Sequence, residues 1–306
     1  MQLFLEQMLN GLQFGVTLLL MASGLTLVFG IMNLINLAHG SLFMIGAYVG
    51  ATVVARSGSF FLGLICGMGA AAIAGMVMEV AIMRRLYRRD HLDQVLATFG
   101  LILFFNELVR MVWGRQPIAM STPAWLSGSV EIIPGIPYPE FRLAVIVVGA
   151  LVIGLLYLLI MRTRLGMWIR AGASDRETIG ALGVNIRLLY TLVFGLGACL
   201  AGLAGVMAAP FLAVQSGMGE NILILTFVVI VIGGIGSIKG AVAGALLIGV
   251  ADTLGRVYLP PLAALWLPPA AASNLGTSLA SMLIYLVMAA VLAVRPQGLF
   301  GGAHGS

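Results

Sequence analysis

Long uncharged intervals alternate with short polar segments along this chain. Residues 7–55 contain no Asp, Glu, Lys or Arg, which leaves room for two membrane spans with a break near the sequence NLINLAHG. A span needs about 20 mostly apolar residues to cross roughly 30 Å of hydrocarbon. Further spans are predicted at residues 57–78, 94–113, 143–161, 188–209, 221–237, 241–258 and 276–294. The pattern therefore predicts an all-α, polytopic helical membrane protein with about eight or nine transmembrane helices.

Composition supports the membrane class and excludes several others. The 306 residues are 61% hydrophobic and only 9% charged, with 40 glycines and a mean hydropathy of +1.10. Cys66 and Cys199 both fall in apolar stretches, which is not the pattern of a disulfide scaffold or a metal site. The net charge of +5 is carried by arginines in short loops, which indicates membrane topology rather than a nucleic-acid partner. The first basic residue is Arg56, so the first apolar segment is predicted to be a retained helix and not a cleaved signal.

The arginines predict the orientation of the spans. Most of them lie in two loops, one holding Arg84, Arg85, Arg88 and Arg89 and the other Arg162, Arg164, Arg170, Arg176 and Arg187. Two predicted spans separate these loops, so both can face the cytoplasm, where basic loops are enriched. Because successive spans cross the membrane in opposite directions, Lys239 and the tail from Arg295 are also predicted to face the cytoplasm. The stretches STPAWLSGSVEIIPGIPYPE and YLPPLAALWLPP then lie outside, and so does the N-terminus.

Charged residues near the membrane interior are few, and each has a nearby partner. Glu79 precedes the first arginine cluster, Glu107 and Arg110 are three residues apart, and Asp252 and Arg256 are four apart. We interpret all three as structural ion pairs. No acidic residue or histidine falls at the middle of a predicted span, which argues against a proton relay or an ion-coupled carrier. No phosphate loop, metal-ligand cluster or activated nucleophile is found, so we predict no catalytic residue, no metal site and no cofactor bound by this chain.

Two glycine-broken segments are the best candidates for a translocation path. GIMNLINLAHGSLFMIGAY combines asparagines with glycine, which favours an unwound or re-entrant segment that faces protein or water. GGIGSIKGAVAGALLIG is a faint echo of it, and an internal repeat remains open. For His39, the alternative is a hydrogen-bonded interfacial role. The candidate path residues are Asn33, Asn36, His39, Gly40, Gly233, Gly234 and Gly236. Small residues in these stretches and in LGACLAGLAGVMAAP also suit close helix packing.

The segment RAGASDRETIGALGVNIR, residues 170–187, is unusually polar for this chain. Ser174 is predicted to cap a helix whose first turn holds Asp175 and Glu177, where acidic groups suit the positive helix end. Ile179 and Leu182 share one face, and Gly183 with Asn185 provides a stop. A short amphipathic cytoplasmic helix, attached to a span at each end, is the prediction. The alternative is a solvated connector.

Within that segment, AGASDRETIGALGVN is similar to the coupling-loop signature of ABC importer permeases. Gly180 or Gly183 would be the signature glycine, although Arg170 stands where the strict acidic-Ala-Ala pattern begins. GLTLVFGIMNLINLAHGSLFMIGAYVG, GVNIRLLYTLVFGLGACLAGLAGVMAAP, VIVIGGIGSIKGAVAGALLIGVAD and VLAVRPQGLFG occur in order around it. Together they resemble the branched-chain amino acid ABC transporter permease of the LivH type across nearly the whole chain.

The resemblance implies a single transmembrane permease domain over residues 1–306, with a cytoplasmic coupling loop at 162–187. The residues expected to contact an ATPase are Arg170, Ser174, Asp175, Arg176, Glu177, Gly180, Gly183 and Asn185. The implied partners are a related second permease subunit, two ABC ATPase subunits that carry ATP and magnesium, and a periplasmic solute-binding protein in a bacterial inner membrane. The implied mechanism is alternating access driven by the ATPases. The alternatives are import of urea, short amides or another small polar solute by the same architecture, an ion-coupled secondary carrier, and a membrane enzyme or structural subunit.

Overall fold

A computed structural model describes residues 2–87, 89–133 and 135–301 of the chain. Its helices are α1 (Gln2–Met32), α2 (His39–Ser57), α3 (Phe60–Met78), α4 (Arg84–Leu86), α5 (His91–Trp113), α6 (Glu140–Arg162), α7 (Arg164–Ser174), α8 (Arg176–Ala181), α9 (Ile186–Ala208), α10 (Met218–Gly233), α11 (Ile238–Ala263) and α12 (Pro269–Val294). A π-helical segment, Glu79–Met83, joins α3 to α4, so that Phe60–Leu86 is one continuous span. Arg88 of the first arginine loop lies outside the described residues.

The prediction of an all-α membrane protein with eight or nine spans is confirmed. In the described part of the chain, 8 helices are long and apolar enough to cross a membrane. The first uncharged stretch supplies two of them, α1 and α2, which are separated by a non-helical break at residues 33–38. The predicted span at 221–237 corresponds to α10, which has 16 residues and is shorter than the other eight.

Three details differ from the sequence prediction. The third span was predicted to end at residue 78, but the helix continues through Glu79 because that carboxylate is neutralised by neighbours described below. Pro260 and Pro261, predicted to lie in an outside loop, belong to the last turn of α11. The loop after α5 contains an antiparallel hairpin, β1 (Ser129–Ile133) with β2 (Ile136–Pro139), where no strand was predicted.

The chain divides into two compact units, and one of them consists of residues 23–123 and 151–224. Its core is formed by α2, α3 and α9, which pack on one another through glycines. A Cβ atom on Gly46 of α2 would lie 2.5 Å from the Cα of Gly202 in α9. A Cβ on Gly67 of α3 would lie 2.7 Å from the carbonyl oxygen of Gly46. Because lipid provides no hydrophobic drive for helix pairing, such close backbone approach supplies the association energy.

The other unit comprises residues 1–22, 124–150 and 225–306, within the described limits. Here the first part of α1 packs on α11 through small residues, since a Cβ on Gly15 would lie 2.8 Å from the carbonyl oxygen of Ala245. α11 also packs on α12, where a Cβ on Gly276 would lie 2.6 Å from the nitrogen of Pro260. In both units, helices thus pack closely through glycine residues.

The C-terminal segment RPQGLFG, residues 295–301, is tied to the end of α10 by backbone hydrogen bonds. The amide of Leu299 donates to the carbonyl of Ile232 at 2.8 Å, and the amide of Phe300 donates to that of Gly233 at 2.9 Å. The last carbonyl groups of a helix have no hydrogen-bond donors within the helix, and the amides of this segment supply those donors. The segment therefore has a structural role in closing α10.

Candidate coupling segment and translocation residues

The junction between α6 and α7 is short and closely packed. Thr163 alone separates the two helices, and its side chain accepts a hydrogen bond from the amide of Gly166 at 3.1 Å, which caps α7. Gly166 lies directly against the final carbonyls of α6, where there is no room for a Cβ. The guanidinium of Arg170 donates to the carbonyl of Ile160. α7 is therefore packed tightly against the end of α6.

The candidate coupling segment, residues 162–187, contains two short helices where the sequence predicted one. The backbone of Asp175 is extended, with φ −151° and ψ 103°, which ends α7 and begins α8. The predicted cap, Ser174, was wrong, because Ser174 is the last residue of α7. Asp175 is the cap, and its carboxylate accepts the amides of Glu177 at 3.0 Å and Thr178 at 3.1 Å. A carboxylate suits this position because it accepts those amides and also carries the negative charge that a helix N-terminus favours.

The hydrogen bonds on Asp175 also affect its ionisation. The hydroxyl of Thr178 donates to the carboxylate, and this bond, with the two backbone amides, holds the pKa of Asp175 below its usual value. The carboxyl group therefore remains ionised at neutral pH, and the cap of α8 is intact there.

The predicted stop after α8 is confirmed at Gly183. α8 ends at Ala181, and Gly183 has a φ of +86°, a conformation that favours glycine. Asn185 acts at the start of the next helix, since its side chain accepts from the amide of Leu188 at 3.1 Å and caps α9. The predicted shared face of Ile179 and Leu182 is wrong, because Ile179 is buried whereas Leu182 is 77% exposed. Leu182 lies beyond the end of α8, so the helical periodicity does not place its side chain on the face of Ile179.

An exposed surface surrounds these two helices. Arg170, Ser174, Glu177 and Gly180 are exposed, and the side chain of Arg176 lies outside the described residues. An apolar groove of about 410 Å³ runs between α7, the 182–185 turn and the start of α9. Trp168 and Leu182 line it and remain exposed. The segment thus offers both polar and apolar contact surface.

The break between α1 and α2 has the unwound backbone that its composition predicted. Asn33 has a φ of +50° and an exposed side chain. The side chain of Asn36 is fully buried, and its Oδ1 accepts from the amide of Ala38 at 3.0 Å. Among the described residues, the Nδ2 of Asn36 has no hydrogen-bond partner. A buried amide of this kind retains the capacity to donate a hydrogen bond to a solute or a water molecule.

His39 and Gly40 begin α2 inside the same unit. His39 is fully buried, and a Cβ on Gly24 would lie 3.1 Å from its Nε2. Gly40 lies against the backbone of Gly219 in the first turn of α10. The start of α2 is therefore packed against α1 and α10, with no space for larger residues at these glycines.

The second glycine-broken segment, which lies in the other unit, forms the turn between α10 and α11. Gly234 and Gly236 have φ values of +99° and +83°. A Cβ on Gly234 would lie 2.5 Å from the amide nitrogen of Gly301, so the C-terminal segment covers this turn. Gly233 lies against the backbone of Gly240. These contacts give Gly233 and Gly234 a packing role, whereas Gly236 supplies a positive φ in the turn. The place of the three glycines in a translocation path stays a prediction.

A buried network around Glu79 was only partly predicted. The carboxylate of Glu79 is fully buried. It accepts hydrogen bonds from the Nε of Arg84 at 3.1 Å, the hydroxyl of Thr191 at 2.7 Å and the hydroxyl of Tyr87 at 2.9 Å. Arg84 also donates to Thr191 at 2.7 Å. The ring of Tyr190 meets that of Tyr87 edge to face, with centroids 5.3 Å apart. The predicted ion pair of Glu79 is confirmed. The contacts of Thr191 and the two tyrosines could not be predicted from a local sequence pattern.

This network also brings the two arginine loops to the same end of the unit. One cavity is lined by Arg84, Arg85 and Arg89 from the first loop and by Arg187 from the second. The sequence prediction that these two loops share a side of the membrane agrees with this geometry.

A second polar cluster joins α5 to the start of α10. The amide of Asn106 donates to the carboxylate of Glu220 and accepts from the amide of Gly217 at 3.1 Å. The Nε of Arg110 donates to the hydroxyl of Ser216 at 3.0 Å. Neither Asn106 nor Glu220 was predicted to be a site residue. The available signals were an asparagine within a predicted span and a carboxylate beside the start of another.

The remaining predicted ion pairs are confirmed. Arg110 and Glu107 are 3.3 Å apart, and Arg256 lies 2.9 Å from Asp252. Both pairs lie within one helix, as their spacing predicted.

The eight long apolar helices of the described residues define a multi-pass helical membrane protein. Residues 7–292 match the family described as "Branched-chain amino acid transport system / permease component", and the chain belongs to this family. It is 30% identical over 311 residues to the high-affinity branched-chain amino acid transport system permease protein LivH of Salmonella typhimurium, covering 97% of this chain and 96% of that one. It is 31% identical over 310 residues to the corresponding protein BraD of Pseudomonas aeruginosa, with the same two coverages. LivH of Escherichia coli K12 is 29% identical over 313 residues, again with 97% and 96% coverage.

Proposed function

We propose that this chain is a membrane-spanning permease subunit of an ATP-driven importer for branched-chain or related amino acids. The observation that carries the proposal is the similarity over 97% of the chain to permeases named for high-affinity branched-chain amino acid transport. The similarity covers both the spans and the polar segment between α6 and α9, which supports the proposal of a transport role and a coupling role in one chain.

The coupling role is proposed for residues 162–187, with cytoplasmic ATPase subunits as the source of force. The close packing of Gly166 and Arg170 on the end of α6 supports this proposal, because it makes α7 a short lever on a membrane span. At the other end, Asn185 caps α9 directly after the turn at Gly183. ATP binding and hydrolysis would move α7 and α8, and the two attached spans would follow. Alternating access of the solute is the expected result.

The proposed contact surface combines the apolar groove beside Trp168 with the exposed polar face of α8. Hydrophobic anchors in a groove with a polar rim are typical of protein–protein contacts. Of the polar candidates, Glu177 is exposed and Asp175 maintains the cap of α8. We propose that an ATPase subunit binds here, in a bacterial inner membrane complex with a related permease subunit and a periplasmic solute-binding protein. ATP and magnesium would bind to the ATPase subunits.

Copurification tests the partners. The tagged chain would be extracted from its native membranes in mild detergent, and the proteins that remain bound would be identified. We expect two kinds of copurifying subunit, an ABC ATPase and a second permease. Recovery of the chain without any ATPase would overturn the coupling proposal.

Reconstitution tests the activity. The purified complex, with its binding protein, would be placed in proteoliposomes and supplied with labelled leucine, isoleucine or valine. We expect uptake that requires ATP and does not respond to a proton or sodium gradient. ATP-dependent uptake of urea or a short amide, but not of these amino acids, would replace the substrate class. Gradient-driven uptake by the chain alone would refute the whole proposal.

A further inference from the structure

A cavity of about 740 Å³ lies between the end of the span Phe60–Leu86 and the start of α9, within the unit formed by residues 23–123 and 151–224. Its walls come from the end of the span Phe60–Leu86, the segment that leads into α5, and the first turn of α9. Transmembrane helices end where hydrocarbon gives way to the polar headgroup region. The cavity therefore lies at headgroup level, on the side that holds both arginine loops.

The cavity has an excess of positive charge that the described part of the chain does not neutralise. Arg84 is paired with the buried carboxylate of Glu79. Arg85, Arg89 and Arg187 also line the cavity, are exposed, and make no ion pair with any residue in 2–87, 89–133 or 135–301. The first turn of α9 adds the positive end of a helix dipole. Three guanidinium groups around one concave surface form a site for a compact anion.

The chemistry of these groups suits a phosphate group. A guanidinium presents paired N–H donors that match two oxygens of a phosphate group, and it is less strongly hydrated than an ammonium. Tyr87 adds no competing negative charge, because burial and the neighbouring carboxylate of Glu79 raise the pKa of its phenol. Its hydroxyl is already bonded to Glu79, so its ring contributes an amphipathic wall next to that of Tyr190.

We propose that this cavity binds the phosphate group of an anionic phospholipid, held by Arg85, Arg89 and Arg187. The headgroup-level position and the aromatic and aliphatic walls favour a lipid over a soluble anion, because a lipid places its phosphate at this depth and its glycerol and first methylenes against those walls. Basic pockets between helices on the cytoplasmic side of a membrane are suited to such headgroups.

Lipid counting by native mass spectrometry tests the proposal on the purified full-length chain. The delipidated protein would be mixed with phosphatidylglycerol or phosphatidylcholine of identical acyl chains. We expect the wild-type chain to retain phosphatidylglycerol preferentially. Replacement of all three arginines, R85Q with R89Q and R187Q, is expected to lower that preference by at least about tenfold. An equal affinity of the wild-type chain for the two lipids would overturn the proposal.

A matched triple variant controls for total charge. R56Q with R115Q and R295Q removes three exposed arginines that do not line the cavity. We expect this variant to retain the wild-type preference. An equal loss of preference in both triple variants would mean that net charge, not the cavity, attracts the lipid, and the proposal would fail. Should the cavity variant not fold, the triple Arg→Lys variant keeps the charge but loses the paired donors, and an unchanged preference there would refute phosphate recognition by the guanidinium groups.

Two further arms separate the possible occupants. Millimolar inorganic phosphate that displaces phosphatidylglycerol from the wild-type chain would identify a free-phosphate site and overturn the lipid assignment. A lipid preference that is present in the isolated chain but absent from the copurified complex would show that an acidic surface of a partner covers the cavity. This result would also overturn the lipid assignment. Retention of phosphatidylglycerol in both preparations, despite added phosphate, is the expected result.

Discussion

At the residue scale, Glu79 shows how a carboxylate is accommodated within an apolar span. Burial of an isolated charge in hydrocarbon is costly, so the charge must be paired and its lone pairs satisfied. Arg84, Thr191 and Tyr87 together do this, and the π-helical segment that begins at Glu79 places the carboxylate among them. π-helical turns within helices occur often at positions with a special task. Here the task is to continue a span through a charged residue.

Removal of this carboxylate should destabilise the fold. In Glu79→Ala, the hydroxyls of Thr191 and Tyr87 lose an acceptor and Arg84 loses its ion pair, which should cost on the order of 1–3 kcal/mol. Thermal unfolding of the purified chain in detergent measures the loss. Glu107→Ala is the matched control, because its ion pair with Arg110 is exposed and should contribute less than about 1 kcal/mol. Equal stability of the two variants would contradict the structural role of Glu79.

Asp175 is the second residue whose chemistry predicts an effect. Asp175→Ala removes the cap of α8, whereas Asp175→Asn keeps a side-chain acceptor at the same position. We therefore expect faster hydrogen exchange of the α8 amides and weaker uptake in the alanine variant, with both largely restored in the asparagine variant. Similar exchange in all three proteins would exclude the cap.

The pH dependence of this cap has a defined sign. The pKa of Asp175 is lowered in the folded chain by the hydrogen bonds from Thr178 and Glu177. A lowered carboxyl pKa contributes stability above the unfolded-state pKa, and that contribution is lost as the pH falls through the folded-state pKa. Intrinsic-rate-corrected exchange of α8 should therefore be constant through the neutral range and rise only in acid. A rise between pH 8 and pH 6 would contradict this assignment.

At the scale of elements, glycines set the distances between helices. α2, α3 and α9 approach so closely that a methyl group has no space at several contacts. Gly69 of α3, in contrast, faces open space, so composition alone does not distinguish the two kinds of glycine. The difference allows a test within one helix.

Gly67→Ala and Gly69→Ala form a matched pair in α3. A Cβ on Gly67 would lie 2.5 Å from the Cγ2 of Val206, whereas a Cβ on Gly69 would have nothing within 4 Å. We expect Gly67→Ala to destabilise the chain by about 1–3 kcal/mol, the usual cost of overpacking. Gly69→Ala should be neutral or stabilising by up to about 1 kcal/mol. Comparable unfolding temperatures for the two variants would contradict the close packing of α3.

The proposed coupling role of residues 162–187 predicts that a variant in this segment affects transport rather than assembly. Proline fixes φ near −65° and has no N–H, so Gly183→Pro disrupts a turn with φ +86° and removes the bond from its amide to the carbonyl of Gly180. In the reconstituted complex, we expect ATP hydrolysis to persist while amino-acid uptake falls on the order of tenfold, about 1.4 kcal/mol of coupling.

A turn of the same kind elsewhere provides the control for that variant. Gly58 has a φ of +68°, and its amide also donates to a helix carbonyl, that of Val54. Gly58→Pro should impose similar strain but leave hydrolysis and uptake coupled. Normal uptake by a well-expressed Gly183→Pro variant would refute the coupling role of this segment.

At the scale of the whole molecule, the arginine loops predict sidedness. In a background with Cys66→Ala and Cys199→Ala, single cysteines at His91 and Glu177 should react with an impermeant maleimide from the cytoplasmic surface. A cysteine at Ser129 should react from the opposite surface. All three positions are exposed, so failure to label would not reflect burial. Labelling of the His91 and Glu177 positions from different surfaces would overturn the predicted topology.

Sequence patterns predicted the features that depend on neighbours along the chain. The number of spans follows from apolar runs of about 20 residues, and the ion pairs Glu107–Arg110 and Asp252–Arg256 follow from spacing on one helix. The stop at Gly183 follows from local turn chemistry. The choice of cap was wrong because Ser174 and Asp175 are adjacent and both can cap, and the actual backbone break decided between them.

Only the tertiary structure decided the contacts between distant parts of the chain. Thr191 and Glu79 are 112 residues apart, and Asn106 and Glu220 are 114 apart, so no local periodicity records either contact. The same holds for Gly40 against Gly219 and for the arginines that surround one cavity. Hydrophobicity determines that a helix enters the membrane, because lipid acts on each segment separately. Which faces then meet depends on shape and hydrogen bonding between helices, and these exist only once the helices have packed.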